Sequence, residues 1–532
     1  MKDLFTDLAA RSGATEHRSV RVRDSDHKRR GKTSGGFIAD LRDVFERYSK
    51  RTSVPHKRSI FLLILVGALL RGWMLLEPIT YEEARAFDLY MSRPVGELIT
   101  QKTDPLAHIF YALLAKVSVA IFGIGKVAIR LPAFIASILS MALFYLFTRA
   151  MFNRYIAMLV LALVASSGPL IEYGALAQGH SVGWMFMVLA LVLGRHFVKE
   201  NNAVSAILIG VSLALGMWTL TAMIYPSLTI FIYLLLYILL RYQGSIRSRL
   251  MLLITSFIIF VALVTVLYFP ILSQQGLAFL LDQAPNMDNT WRKFGRQHQD
   301  AAFDLWVAIA DTTGNAIALL GIIAVLVSAF ISLKYRVIMF AVAIGAIPLV
   351  LLQKFVPPPP VWFYTLFLLH LGSGIAIFYL LKLIQEKFFT SLGKRTRTAY
   401  TSLIILFGLG LIGMNEIRTR ITRFPEAASI AAYLHNAVSA EDKVYVDPPW
   451  DAPVKFHSRG LGIERDRFHG RPAIGGWVFV IISPEEGQKP EQVLKSTRVA
   501  AGSIGKLQMV KDWPRIQIFA ARYREGQSAN GR

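Results

Sequence analysis

Apolar runs of roughly 17–25 residues recur along most of this chain, each long enough to cross the ~30 Å hydrocarbon core of a bilayer as a helix. The first opens near Ser59. Within that core a helix satisfies all its backbone polar groups internally. Such a chain is an α-helical polytopic membrane protein. Composition agrees, with 54% hydrophobic and 17% charged residues among 532, too apolar for a soluble protein of this size. The net charge of +23 does not indicate a nucleic-acid partner. Its Lys and Arg lie mainly in the tails and between apolar runs, where they set topology and meet anionic lipid headgroups. The absence of cysteine excludes disulfides, thiolate chemistry and Cys-based metal sites.

No cleavable signal peptide is expected, because a polar tail precedes the first apolar run. Residues 1–58 carry 15 Lys/Arg against 8 Asp/Glu and should be cytoplasmic. Most of this tail cannot support a core. Its end, "GFIADLRDVFERYSKR", places Phe37, Leu41, Val44, Phe45 and Tyr48 on one helical face. That pattern fits an amphipathic helix on the membrane surface or a plain cytosolic helix.

The positive-inside rule then threads the chain. If "PLAHIFYALLAKVSVAIFG" (105–123) crossed the membrane, every later basic loop would fall outside. Laid on the outer surface, it leaves five loops cytoplasmic: Arg149 and Arg154; Arg195 and Lys199; Arg241, Arg247 and Arg249; Lys334 and Arg336; and Lys382, Lys387, Lys394, Arg395 and Arg397. About eleven transmembrane helices result, near 59–77, 128–149, 154–172, 179–197, 203–218, 222–241, 249–270, 313–333, 336–353, 360–384 and 399–416. An odd number puts the C-terminus outside. The expected domains are the cytoplasmic tail (1–58), a transmembrane domain (59–417) with a large first outer loop (78–127), and a small extracytoplasmic α/β domain (418–532). In the last, helix-like "PEAASIAAYLHNAV" precedes strand-like "KVYV", "GWVFVIIS", "GKLQMV" and "IQIFAARY". A polar loop is expected at 271–305, and no internal repeat at a fixed period is evident.

This path gathers polar residues on the outer side. The first loop supplies Glu82, Glu83, Arg85, Lys102, Asp104 and His108, and Arg130 opens the second span. "EYGALAQGHS" brings Gln178 and His180, while "QKFVPPPPVWFY" brings Lys354. Ionisable groups at membrane depth are costly and mark functional paths. Each also has an ordinary reading: a loop charge, a packed histidine, a polar cap, or a proline run that ends a helix. The acidic pair could bind a divalent ion, but two carboxylates alone are a weak metal signal, so no cofactor or metal site is assigned.

From Thr80 to about Phe197 the chain resembles the membrane-bound GT-C glycosyltransferases, the relatives of protein O-mannosyltransferases and lipid A aminoarabinose transferases. The shared order is an acidic pair after the first span, "DPLAHIFYALLAKVSVAIFG", "AIRLPAFIASILS", a basic hairpin with "FNR", and "SSGPLIEYGALAQGHSVGW". The chain has Glu82-Glu83 where such enzymes show Asp-Glu. It has Ala177-Gln178-Gly179-His180 where they show an Ala-Arg-Gly-Tyr-like turn, and Pro360 where they often carry Arg. The resemblance implies a GT-C fold and sugar transfer from a polyprenyl-phosphate donor to a cell-envelope lipid, glycan or protein, at the outer face of the plasma (inner) membrane. It implies Glu82 as base, with Glu83 orienting it or the substrate. Arg85, Lys102, Asp104, His108, Arg130, Gln178, His180 and Lys354 would bind substrate, with Lys102, Arg130 or Lys354 meeting the leaving phosphate. A lipid or glycan transporter would more often show repeats and broken helices at the midplane, and a non-catalytic scaffold is the remaining alternative.

Overall fold

The computed structural model describes residues 38–39, 42, 54–100, 108–241, 246–275, 291–313, 315–388, 402, 405–406, 410, 422–497 and 503–524. Nearly all of the expected amphipathic helix, most of the span at 399–416, and both Lys102 and Asp104 lie outside the described residues. The chain divides into two compact units: one comprises Met1–Met74, Ile99–Tyr111 and Pro132–Thr419, the other Leu75–Leu98, Ala112–Leu131 and Arg420–Arg532.

In chain order the helices are α1 (Val54–Leu76), α2 (Tyr81–Ala86), α3 (Val95–Thr100), α4 (Ile109–Phe122), α5 (Lys126–Met151), α6 (Arg154–Ser166), α7 (Gly168–Glu172), α8 (His180–Glu200), α9 (Ala203–Thr219) and α10 (Ile224–Arg241). They continue with α11 (Ile246–Gln275), α12 (Trp291–Thr313), α13 (Asn315–Ile331), α14 (Leu333–Gln353) and α15 (Tyr364–Phe388). Among the described residues, seven helices are long and apolar enough to cross a membrane, those of α1, α5, α8, α10, α11, α14 and α15. Four more are apolar but shorter: Ile109–Phe122, Arg154–Ser166, Ala203–Thr219 and Ala318–Ile331. At 14 residues α4 reaches only about 21 Å, short of the ~30 Å core. The expected polar loop at 271–305 is helical at both ends, in α11 and in the amphipathic α12.

Local chemistry sets the helix ends. Asn153 caps α6, its side-chain oxygen accepting from the N–H groups of Tyr155 and Ile156 at 2.9 Å. A two-residue turn joins α8 to α9: Asn201 closes α8 in the left-handed conformation, and Asn202 accepts from the Ser205 N–H at 2.7 Å to open α9. Close packing relies on small residues. A Cβ added at Gly345 in α14 would lie 2.8 Å from Thr229 Oγ1 and 3.0 Å from the Thr229 backbone in α10, so the two helices approach closely where Gly345 lacks a side chain.

One buried cation braces the membrane unit. Arg71 in α1 donates from Nε to Ser137 Oγ at 2.6 Å, from Nη1 to the carbonyls of Gly67 and Ala165 at 3.0 Å, and from Nη2 to that of Val164 at 3.2 Å. The last two carbonyls belong to the final turn of α6, where a helix has no partners of its own.

In the second unit, α16 (Glu426–Ala437), β1 (Lys443–Val446), α17 (Asp451–Gly460), β2 (Trp477–Ile482), α18 (Pro490–Ser496), β3 (Gln508–Asp512) and β4 (Gln517–Arg522) form the α/β region. The sheet order is β1-β2-β4-β3, with β1 and β2 parallel and the other pairs antiparallel. Phe479 and Ile481 of β2 face one core with Ile430, Leu434, Trp450 and Val454, whereas Val478, Val480 and Ile482 face another with Val493 and Leu494. Burial on both faces explains the near-continuous apolar run of that strand. The segment after α1 packs with this unit: Ile79 accepts from the Phe424 N–H at 3.2 Å, Tyr81 lies against the first core, and the Phe87 and Phe456 rings meet edge to face at 5.0 Å. The expected boundary near 418 thus separated residues that pack together.

Candidate active site

The acidic pair sits in the first turn of α2. Thr80 caps this helix, its hydroxyl accepting from the Glu83 N–H at 3.3 Å while Glu83 Oε2 accepts from the Thr80 N–H at 3.1 Å. This reciprocal capping box turns the Glu83 side chain back into the protein. There it meets Arg130, which donates from Nε to Oε1 at 2.7 Å and from Nη2 to Oε2 at 2.6 Å. Both side chains are fully buried. The remaining Arg130 hydrogens go to the carbonyls of Leu75 (3.2 Å), Glu77 (2.7 Å) and Pro78 (3.1 Å). A guanidinium has five N–H donors, and here all five are used. Glu82, one residue earlier, is exposed.

Arg85 is half-buried on the same short helix. Beyond it, Asp88 lies 3.8 Å from Arg459 and 3.5 Å from Arg465, both in the α/β region. His457 in α17 is held at a pKa of about 4 by burial, with Lys126 and Arg130 adding to the effect. Tyr81 is pushed up from its ordinary value by burial and by Asp451.

A second cluster lies in the membrane unit. His108 accepts from the Gly179 N–H at its Nδ1, 2.6 Å away, which assigns the ring proton to Nε2 in the neutral form. Burial holds its pKa at about 4. Gly179 has no room for a side chain: an added Cβ would stand 2.9 Å from Thr219 Cγ2, 3.0 Å from the Thr219 carbonyl oxygen and 3.1 Å from His108 Cβ. His180, the first residue of α8, is packed by three rings, with centroids 5.1 Å away for Tyr173, 5.7 Å for His108 and 6.1 Å for Trp184. Its Nδ1 is buried with no hydrogen-bond partner among the described residues. Gln178 and Tyr173 are half-buried.

Lys354 closes α14 in the left-handed conformation (φ 50°), with Nζ 5.4 Å from the centre of the Trp291 ring. It pairs with no carboxylate among the described residues. Nearby in sequence, Gln353 accepts from the Tyr225 hydroxyl, and the Tyr225 ring lies 5.3 Å from that of Trp362.

The structure therefore brings Glu82, Glu83, Arg85 and Arg130 into the second unit, and His108, Gln178 and His180 together in the first. Tyr173, Trp184, Asp88 and His457 were not singled out from sequence. Among the described residues no three His, Asp or Glu side chains gather to hold a metal ion.

Residues 105–269 match the family described as dolichyl-phosphate-mannose-protein mannosyltransferase. No curated protein matches the sequence. Among solved structures, ArnT from Cupriavidus metallidurans in the apo state aligns with a TM-score of 0.56 at 12% identity, over 87% of this chain and 97% of that one. The same protein bound to undecaprenyl phosphate aligns at 0.45 and 14% identity, over 87% and 97%. The oligosaccharyltransferase of Archaeoglobus fulgidus in its apo form aligns at 0.45 and 12%, over 79% of this chain and 61% of that one. The fold is that of the membrane-bound GT-C glycosyltransferases, and residues 105–269 carry the mannosyltransferase family pattern.

Proposed function

We propose that the protein moves a sugar from a polyprenyl-phosphate donor to a cell-envelope acceptor at the outer face of the membrane, with its N-terminus cytoplasmic and the α/β region outside. The observation that carries this reading is the division of labour in the acidic pair: Glu83 is locked to Arg130, while Glu82 is exposed on the backbone that this lock holds. The family pattern, named for a dolichyl-phosphate-linked sugar donor, supports the donor class.

In the proposed step, an acceptor hydroxyl or amine attacks the anomeric carbon. The bond from that carbon to the phosphate oxygen breaks, and polyprenyl phosphate leaves with the electron pair. Glu82 takes the acceptor proton. The leaving phosphate needs a cation. Arg130 has committed all its donors, whereas Lys354 is half-buried beside an aromatic face and pairs with no carboxylate among the described residues, so Lys354 takes that role. Arg85 and Gln178, both half-buried, remain the candidates for holding the sugar or acceptor.

The test compares labelled-sugar incorporation into envelope lipid, glycan and protein in cells with and without the gene. A labelled product should disappear with the gene, return with the wild-type chain, and stay absent with Glu82→Gln at matched protein level. Identical labelling with and without the gene would overturn the proposal.

A further inference from the structure

We propose that His108 is a positioning residue for sugar recognition: by accepting the Gly179 N–H it fixes the turn that opens α8, so that His180 presents its Nδ1 to a hydroxyl of the transferred sugar. This rests on the transferase reading above.

The first support is geometric. His108 stands 71 residues before the turn it holds, and its 2.6 Å bond is made to a backbone N–H at a helix start, where no intrahelical acceptor exists. Thr219 and the His108 Cβ both stand within 3.1 Å of where a Gly179 Cβ would lie, so the turn packs closely against both elements. His180 follows immediately, and its ring is perpendicular to that of His108 and to that of Tyr173, at 89° and 88°. Backbone and ring are thus fixed together.

The second support is the atom left over. Buried polar groups are rarely without a partner, because an orphaned one keeps the full cost of its lost hydration. His180 is 7% exposed, and its Nδ1 has no protein partner among the described residues. Such an atom suits a ligand that completes it. A neutral imidazole offers one donor and one acceptor nitrogen, and a hydroxyl can answer either. Aromatic rings beside a single polar atom also suit a sugar, which offers apolar C–H faces between its hydroxyls. A phosphate would instead call for cations, and the three rings around His180 supply none.

The experiment uses the full-length chain in cells lacking the gene, with labelled-sugar incorporation into the envelope as readout at matched protein level. His108→Leu keeps the bulk but removes the acceptor, and should lower incorporation about tenfold, from an orphaned Gly179 N–H and a loosened turn. His108→Asn, whose side-chain oxygen can take the same N–H, should stay within about threefold of wild type. The decisive arm is His108→Leu placed on His180→Ala. Coupled residues are non-additive. If His108 acts through His180, His108→Leu should cost less than about twofold in that background. An equal loss in both backgrounds, or Asn no better than Leu, would overturn the inference and leave His108 a packing residue. Failure of the wild-type chain to restore any incorporation would instead overturn the transferase reading on which it rests.

Discussion

Adjacent glutamates at 82 and 83 should respond to the same substitution in opposite ways. Glu83 Oε2 accepts from Arg130 Nη2 at 2.6 Å and from the Thr80 N–H and hydroxyl at 3.1 Å, and Oε1 accepts from Arg130 Nε at 2.7 Å. In Glu83→Gln the amide NH2 must replace one of these oxygens, so it faces Arg130 donor to donor in either orientation, and the Thr80 N–H as well if it takes the place of Oε2. A fully buried guanidinium also loses its counter-charge. Removing one partner of a buried ion pair costs about 3–5 kcal/mol, a large part of a typical stability of about 5–15 kcal/mol. Arg130→Met should cost a similar amount, because it strands the carboxylate together with three carbonyl oxygens. The double variant should cost less than the sum, since neither charge is then left alone. Glu82→Gln, at an exposed position, should change stability by less than about 0.5 kcal/mol. As the proposed base, Glu82 should show a chemical effect instead: loss of general-base catalysis lowers a rate by about 10²–10⁴-fold. The assays are thermal unfolding of purified protein in detergent and sugar transfer at matched protein level. A stable, inactive Glu82→Gln beside an unstable Glu83→Gln is the expected pattern. A Glu83→Gln as stable as wild type would refute the electrostatic reasoning, and a fully active Glu82→Gln would remove it as base.

Arg71→Met should lower the detergent unfolding temperature, since two carbonyls at the end of α6 lose their donors, at about 1–3 kcal/mol for each buried orphan. Arg71→Lys should rescue only part of this, because one ammonium cannot reproduce the fork; full rescue would count against the capping role. His457 titrates at about 4 in the folded protein against 6.5 ordinarily, so the unfolded chain takes up the proton first. Its contribution to stability is complete above pH 6.5 and is lost as the pH falls towards 4. His457→Gln should therefore make unfolding less pH-dependent across that window, and an unchanged slope would exclude the effect. For topology, reporters fused after Lys334 and after Arg420 should report opposite compartments, and the same compartment for both would sink the threading.

Seven of the eleven expected membrane helices were legible because run length and apolarity alone decide whether a helix can span, whereas those expected at 154–172, 203–218 and 313–333 fall on helices shorter than a span. The sheet was legible for a related reason: "WVFVII" is too short for a span and apolar on both faces, as a doubly covered strand must be. Helix α12 was read as loop because its composition is polar, although Phe303, Trp306, Val307 and Ala310 keep a helical period. The acidic pair carried a signal that separates its members. Thr80 and Glu83 stand at the spacing of a capping box, which turns the second carboxylate inward and leaves the first outward. The partners were not legible. Arg130 lies 47 residues from Glu83 and His108 lies 71 from Gly179, and no local periodicity links positions so far apart.

A transferase of this class must deprotonate an acceptor with a carboxylate that is both mobile enough to meet it and fixed enough to aim. One residue serves these demands poorly, because the bonds that would fix a carboxylate also occupy its lone pairs. Two adjacent residues at a helix start resolve the conflict. Glu83 gives its oxygens to Thr80 and Arg130 and so fixes the backbone, and Glu82, exposed on that same turn, is the carboxylate we propose for the proton. Inversion of the roles would require the buried pair to open against about 3–5 kcal/mol. On this argument the order of the pair matters. Glu83 should therefore not restore transfer in Glu82→Gln, measured as labelled-sugar incorporation at matched protein level.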